Sequence, residues 1–286
     1  MQLGDVRLHA LSAGTFWADG GVLFGLVPRA LWGRVAEPDN QNRLRLQMWC
    51  LLIETRSCRL LVGTGCSAKL SDRLPQHQGF DGESHLLSDL GTLGLDAKDV
   101  DFVINTHLHG HHCGGNTVRT DDGAVGPTFP RATYCVQRLE LADARHPNAR
   151  TRAVYHRESF EPLERARQLR VLWGDTRLTD EVRVVVTPGH TRAHQSVIIE
   201  SRGQTAMLMG GVAPWPIHLE RLAWVPAHDV EPMTSIETKR KLARWAVDNQ
   251  VLLDFEHHPE TAAGYLSGTA RPDRFRVEPL DCFGSA

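Results

Sequence analysis

The chain has 286 residues, of which 41% are hydrophobic and 23% charged. This is an ordinary globular composition, with room for one large domain or two small ones. A formal net charge of −2 argues against a generic polyanion binder, so no nucleic-acid partner is expected. Six cysteines (Cys50, Cys58, Cys66, Cys113, Cys135 and Cys282) are scattered without a paired metal spacing and read as reduced thiols. The opening stretch Met1-Gln2-Leu3-Gly4-Asp5-Val6-Arg7 lacks the long apolar core of a signal peptide. No stretch is apolar enough to span a membrane, and cytoplasmic residence is the expectation.

In chain order, Val6 to Leu11 and Met48 to Glu54 read as strands, the second a continuous apolar run. A long segment between them, Gly14 to Leu46, is rich in aromatic and turn residues and reads as an irregular loop, functional or packed on the core. Arg59 to Val62 is a short strand stopped by Gly63-Thr64-Gly65. Glu83 to Leu93 has one leucine face and predicts a helix. Asp101 to Asn105 predicts a strand, Ala132 to Val136 another, and Gln137 to Ala144 and Phe160 to Gln168 short helices. Glu181 to Thr187 is a β-branched strand ended by Pro188-Gly189. Ser196 to Glu200 and Thr205 to Met209 predict a hairpin, and Val251 to Phe255 a late strand. Thr234 to Asp248 has capping-box form at Thr234-Ser235-Ile236-Glu237 and predicts the longest helix. Strands in both halves with interspersed helices favour one layered α/β domain over residues 1–286.

The chemistry concentrates at strand ends. Asn105-Thr106-His107-Leu108-His109-Gly110-His111-His112-Cys113-Gly114-Gly115 puts four imidazoles into six positions after an apolar strand. Thr187-Pro188-Gly189-His190 and Phe255-Glu256-His257-His258 repeat the arrangement, and Gly210-Gly211 ends a further strand. Imidazole is the commonest side-chain metal ligand, and open α/β sheets place their sites at strand ends. Three such groups together point to a metal site.

This ordered set resembles the metallo-β-lactamase superfamily. Its fingerprint is His-x-His-x-Asp-His after a strand, then a His after Pro-Gly, an Asp after a Gly, and a final His. The aromatic loop at about 14–46, with Asp19-Gly20-Gly21, Phe24-Gly25, Val27-Pro28 and Leu31-Trp32, is similar to a lactonase-like branch of hydrolases. The resemblance implies an αββα four-layer sandwich with a metal cleft at its edge. It implies that His107, His109 and His190 bind a first metal, and that His112 and His257 help bind a second. The family's Asp is replaced at four places: by His111, by Gly63, by Gly211 and by His258. His111 is then an expected ligand of the second metal, with His258 as an additional one. Ala213-Pro214-Trp215 stands where some lactonases carry a Tyr, and cannot steady an oxyanion as that Tyr does.

The expected cofactor is one or two metal ions, zinc first, with copper or iron as the alternative for an imidazole-only pocket. The catalytic group would be a water held by the metal, since zinc lowers the pKa of bound water to about 7. Three readings follow: a metal-dependent hydrolase of an ester, lactone or amide; an all-His dinuclear redox enzyme acting with oxygen; and a non-catalytic binding relative. Glu256, Asp254 and Asp229 are the nearest acidic candidates for a proton-transfer role. A small-molecule substrate is the expected partner, and a homodimer is compatible with the sequence.

Overall fold

The computed structural model describes residues 1–73, 79–80, 84–120, 122–271 and 273–280. The first half runs β1 (Gln2–Leu3), β2 (Val6–Asp19), α1 (Gly20–Phe24), α2 (Arg29–Trp32), β3 (Arg43–Glu54), β4 (Arg59–Val62), α3 (Leu86–Thr92), β5 (Phe102–Ile104) and α4 (Gly110–Cys113). A small ribbon of β6 (Thr117–Arg119) and β7 (Val125–Pro127) follows, then β8 (Thr133–Gln137), α5 (Arg138–Arg145), α6 (Glu161–Arg165) and β9 (Leu169–Leu172). These strands, apart from the ribbon, form one sheet in the order β1-β2-β3-β4-β5-β8-β9. It is antiparallel up to β4 and parallel from β4 to β9.

The second half adds β10 (Thr176–Arg177), β11 (Val182–Val186), β12 (Gln195–Ser201), β13 (Gln204–Leu208), α7 (Ile217–Glu220), α8 (Pro232–Asp248), β14 (Leu252–Asp254), β15 (Ala263–Gly268) and β16 (Phe275–Pro279). They form the second sheet in sequence order, with β13 and β14 its one parallel pair.

The two sheets pack face to face. Leu51, Ile53 and Val62 meet Val184, Val197, Ile199 and Leu208 in the layer between them. The outer face of the first sheet carries Met48, Cys50, Leu52 and Val103 against Leu86 and Leu90 of α3. The outer face of the second carries Ile198, Met207 and Leu253 against Ala243 and Ala246 of α8. This is the expected αββα order. It explains the unbroken apolar run in β3: alternate residues face the partner sheet and the helices, so neither face meets water. Each such buried aliphatic side chain contributes about 1.5–3 kcal/mol.

Several expectations shift. The segment Gly14 to Leu46 is not wholly irregular. β2 and β3 pair as far as Asp19 with Arg43, around a bulge between Ser12 and Thr15. Only the tip, with α1 and α2, leaves the sheet. The helix expected from Thr234 starts at Pro232 instead, with Glu231 as its N-cap and no side-chain capping bond. Proline suits the first helical position, because its φ is pre-set and its missing N–H has no helical partner there. The helix expected over Phe160 to Gln168 spans Glu161–Arg165, and the chain leaves it at Arg167, whose φ is +58°. The helix expected from Glu83 is described from Leu86, and Glu83 and Cys282 lie outside the described residues. The other five cysteines are free thiols. No helix among the described residues is long and apolar enough to cross a membrane.

Candidate metal centre

The strand ends gather at one edge of the sandwich, and two groups of side chains converge there. His107, His109 and His190 form the first, with ligand atoms within 4.8 Å of one another; His112, Glu256 and His257 form the second, within the same limit. The first sheet supplies His107, His109 and His112, beyond β5. The second supplies His190 beyond β11, and Glu256 and His257 beyond β14.

Four of the five rings are fixed through a neighbour. The Nδ1–H of His190 donates to Asp229 Oδ1 at 2.8 Å. The Nδ1–H of His112 donates to Glu256 Oε1 at 2.8 Å. The Nδ1–H of His257 donates to the Gln47 carbonyl at 2.7 Å. His107 Nδ1 lies 3.0 Å from Thr106 Oγ1. Such partners select the tautomer and leave the other nitrogen free for a metal.

The consequence is a set of nitrogens with nothing to bond. His112 Nε2 and His257 Nε2 are 3.1 Å apart, yet both rings have placed their proton on Nδ1. Two lone pairs therefore face each other in a buried site. In the first group His190 Nε2 accepts from the Nδ1–H of His109 at 3.2 Å, which leaves His109 Nε2 as the nitrogen without a proton. His107 Nε2 and His109 Nε2 are buried without partners. A buried polar atom left unsatisfied costs about 1–3 kcal/mol. Two nitrogens on one tetrahedral zinc stand about 3.3 Å apart, given Zn–N of about 2.0–2.1 Å. The spacing of His112 Nε2 and His257 Nε2 suits that ion, and the donor set fits a metal at each group.

Burial, reinforced by neighbouring imidazoles, holds His107, His109 and His111 well below the ordinary histidine pKa. Burial lowers His112 to about 3 and His257 to about 4. The rings are thus neutral at pH 7, the form that binds metals. Burial also pushes Glu256 up to about 7 and, helped by the charge of Glu256, Asp254 up to about 8.

The remaining sequence candidates separate. His111 lines the same cavity but lies outside both groups. Its ring stacks on Phe16 with centroids 4.3 Å apart, and its Nε2 is buried without a partner. His258 turns away: its Nδ1 accepts from the Thr261 N–H at 2.8 Å, and its ring packs edge-on against Trp215. It caps a turn. Asp229 and Glu256 hold imidazoles, whereas Asp254 accepts the Met209 N–H at 2.7 Å and secures the end of β13.

Two of the replaced carboxylate positions have structural explanations. A Cβ on Gly211 would lie 2.3 Å from His190 Cδ2, so the His190 ring occupies the space a side chain there would need. At Gly63, φ is +71° and a Cβ would lie 3.5 Å from Glu256 Oε1. The Glu256 carboxylate thus reaches the volume beside Gly63 from a different strand end.

Sequence spacing does not single out His194, His228 or Glu140. His194 is fully buried; its Nδ1 meets Thr187 Oγ1 at 2.8 Å, and its Nε2 accepts the Gly211 N–H at 3.1 Å. His228 lines the cavity beside His109. Glu140, fully buried on α5, accepts from the Leu108 N–H, the Tyr155 hydroxyl and the Thr191 hydroxyl. It ties the turn bearing His107 and His109 to the turn bearing His190. The local sequence gives no sign of this role, since Glu140 is one acid in a charged helix.

The cavity over the metal positions is small, about 70 Å³. Phe16, Ala18 and Leu46 of the β2–β3 hairpin, with Val22 and Leu23 of α1, form much of its wall; Val154 and Pro214 face them. Among the described residues that wall contains no Lys, Arg, Asp or Glu side chain.

Comparison with known proteins agrees with this geometry. The family model of the metallo-beta-lactamase superfamily matches residues 44–235. An N-acyl homoserine lactonase of Bacillus cereus is 29% identical over 178 residues, 59% of this chain and 64% of that relative. The chain therefore spans slightly less than two thirds of that relative's length. The N-acyl homoserine lactonase AttM of Rhizobium radiobacter is 26% identical over 195 residues, 65% of this chain and 68% of the relative. Among solved structures, a probable metal-dependent hydrolase from Staphylococcus aureus superposes with a TM-score of 0.86 at 28% identity, covering 97% of this chain and 99% of that one. AidC, a dizinc quorum-quenching lactonase, shares the fold with a TM-score of 0.80 at 18% identity, over 98% and 96% of the two chains.

Proposed function

This chain belongs to the metallo-β-lactamase superfamily, and from that premise we propose that it is a metal-dependent hydrolase of neutral lactones or esters. The observation that carries the reading is the facing pair of lone pairs on His112 Nε2 and His257 Nε2, 3.1 Å apart, beside the unpartnered nitrogens of the first group. His107, His109 and His190 would hold one cation; His112 and His257 would hold a second, with Glu256 orienting His112. A divalent cation bound there supplies a water activated at neutral pH and polarises a carbonyl.

The chain's own residues do the rest. Asp229, Glu256 and the Gln47 carbonyl fix three imidazoles and their tautomers. Phe16, Leu23, Leu46 and Val154 exclude bulk water, which strengthens every charge interaction inside. The same apolar wall would receive the acyl part of the substrate. With no charged side chain to pair with, a substrate carboxylate would be buried uncompensated, so neutral substrates are favoured. That the relatives are lactonases supports a lactone first. The carboxylate of Glu256 on His112 and that of Asp229 on His190 are carboxylate–histidine pairs of the kind that raise ligand basicity at zinc sites, which favours this reading over a redox centre.

The test is metal analysis of the purified protein followed by hydrolysis of a panel of neutral lactones, neutral esters and anionic β-lactams. Turnover of a neutral lactone or ester, abolished in His107→Ala, is expected. Zinc-loaded protein inert across the panel would overturn the proposal.

A further inference from the structure

A second cleft, larger than the first, lies away from the histidines and shares no lining residue with their cavity. It has a volume of about 510 Å³, lies against the ends of α7 and β16, and is lined by Arg221, Arg271, Arg274 and Arg276 with Thr269 and Ala270. Small-ligand pockets commonly fall between about 300 and 1,000 Å³. The overall charge of −2 conceals this local excess of cations.

The cations stand apart from the acidic groups around them. Among the described residues, none of these four arginines makes an ion pair. The nearby Asp273 is engaged instead by Arg240 and Arg244, each at 3.0 Å. Glu220 is the one carboxylate in the described wall, and its Oε1 accepts the Val277 N–H at 3.1 Å. Arg221 and Arg274 stand directly opposite each other in an antiparallel bridge, an unfavourable placing of like charges. Arg221 has its Nε buried without a hydrogen-bond partner, and its guanidinium lies over Trp224 with 5.5 Å to the ring centroid. Such a stack limits the rotamers open to the side chain. The cleft thus has in its wall one guanidinium held by a ring beside it, among three others of the same charge.

We propose that this cleft binds a small, multiply charged phosphoryl anion, such as the di- or triphosphate part of a larger molecule. Guanidinium groups present paired N–H donors that match phosphate oxygens bidentately. An anion carrying several charges would offset the repulsion between Arg221 and Arg274. The aromatic ring of Phe275 in the same wall gives an apolar surface for whatever the phosphates are attached to. The proposal is independent of the hydrolase reading, because no histidine of the metal centre contributes to the cleft.

The experiment is isothermal titration calorimetry of the full-length, metal-loaded protein with sodium tripolyphosphate, and separately with citrate, with metal content measured before and after. A one-to-one complex with tripolyphosphate is expected. It should weaken at least tenfold in Arg221→Ala/Arg274→Ala and in the surface pair Arg271→Gln/Arg276→Gln, and should weaken with added salt. The second pair, at exposed positions, keeps the test valid if the first pair fails to fold. Arg183→Ala, which removes a guanidinium paired with Glu200 outside the cleft, should bind like the parent, and hydrolysis by Arg271→Gln/Arg276→Gln should be unchanged. The assignment is overturned by absence of binding, by binding equal in both arginine pairs and the parent, or by binding lost in His107→Ala or accompanied by loss of metal. Citrate bound as tightly as tripolyphosphate would overturn the phosphoryl choice.

Discussion

Asp229 lines no part of the histidine-lined cavity, yet its carboxylate decides which nitrogen of His190 carries the proton. Replacing it by Asn keeps the shape and removes the charge. Asp229→Asn is expected to weaken zinc at the first position 10–100-fold, measured by competition with a chromogenic chelator, while the far-UV circular dichroism stays as in the parent. Unchanged affinity would mean that the pair is only structural. Restoring the family's carboxylate at Gly211 has the opposite of its naive effect. A Cβ there meets the His190 ring at 2.3 Å, so Gly211→Asp should lower the metal stoichiometry read by elemental analysis rather than raise it. A full complement of metal in that variant would show that His190 can move aside. The histidines were legible in the sequence because they follow apolar strands in tight clusters. The acidic residues were legible only as candidates. Asp229 acts on a residue 39 positions away and Glu256 on one 144 away, and spacing carries no information about such pairs.

At the scale of elements, the β2–β3 hairpin does two jobs. Its β3 strand crosses the core, and its outer part roofs the cavity with Phe16 and Leu46. Phe16 also supports the His111 ring. Phe16→Ala should enlarge the cavity and shift preference toward longer acyl chains, raising the ratio of kcat/KM for a ten-carbon over a four-carbon lactone several-fold. A falling ratio would show that the acyl chain leaves by another route. The central strands were readable from their apolar runs, which two covered faces demand. The strands β15 and β16 were not. Ala263–Gly268 contains two glycines and a serine, and Phe275–Pro279 alternates with charged residues, so their pairing at the sheet edge comes from register rather than from composition. The start of α8 was misplaced by two residues because Pro232 competed with an attractive capping box downstream.

Across the whole molecule, the buried imidazoles set the response to acid. Burial lowers His107, His109, His111 and His194 well below their ordinary value, His218, His228 and His257 to about 4, and His112 to about 3. In the unfolded chain these rings take up protons near pH 6.5. Between about pH 6.5 and 4 the unfolded state therefore binds more protons, and stability falls as pH falls. The raised carboxyls of Asp254 and Glu256 work in the opposite sense over part of that window, but they are outnumbered. The urea midpoint of metal-free protein should drop steeply from pH 7 to pH 5; a flat profile would contradict the neutral, buried state of the rings. Metal-loaded protein should resist the same change until the ligands protonate.

The two candidate ion positions each join residues from opposite sheets: His109 with His190, and His112 with His257. Whatever ion sits there is also a rivet through the sandwich, and removing it leaves that edge held by packing and by the hydrogen bonds of Glu140 and Glu256. Limited trypsin digestion should cut chelator-treated protein faster than loaded protein. If it does, the half-life of this chain in a cell becomes a gauge of metal supply: scarcity would clear the idle protein rather than leave it waiting.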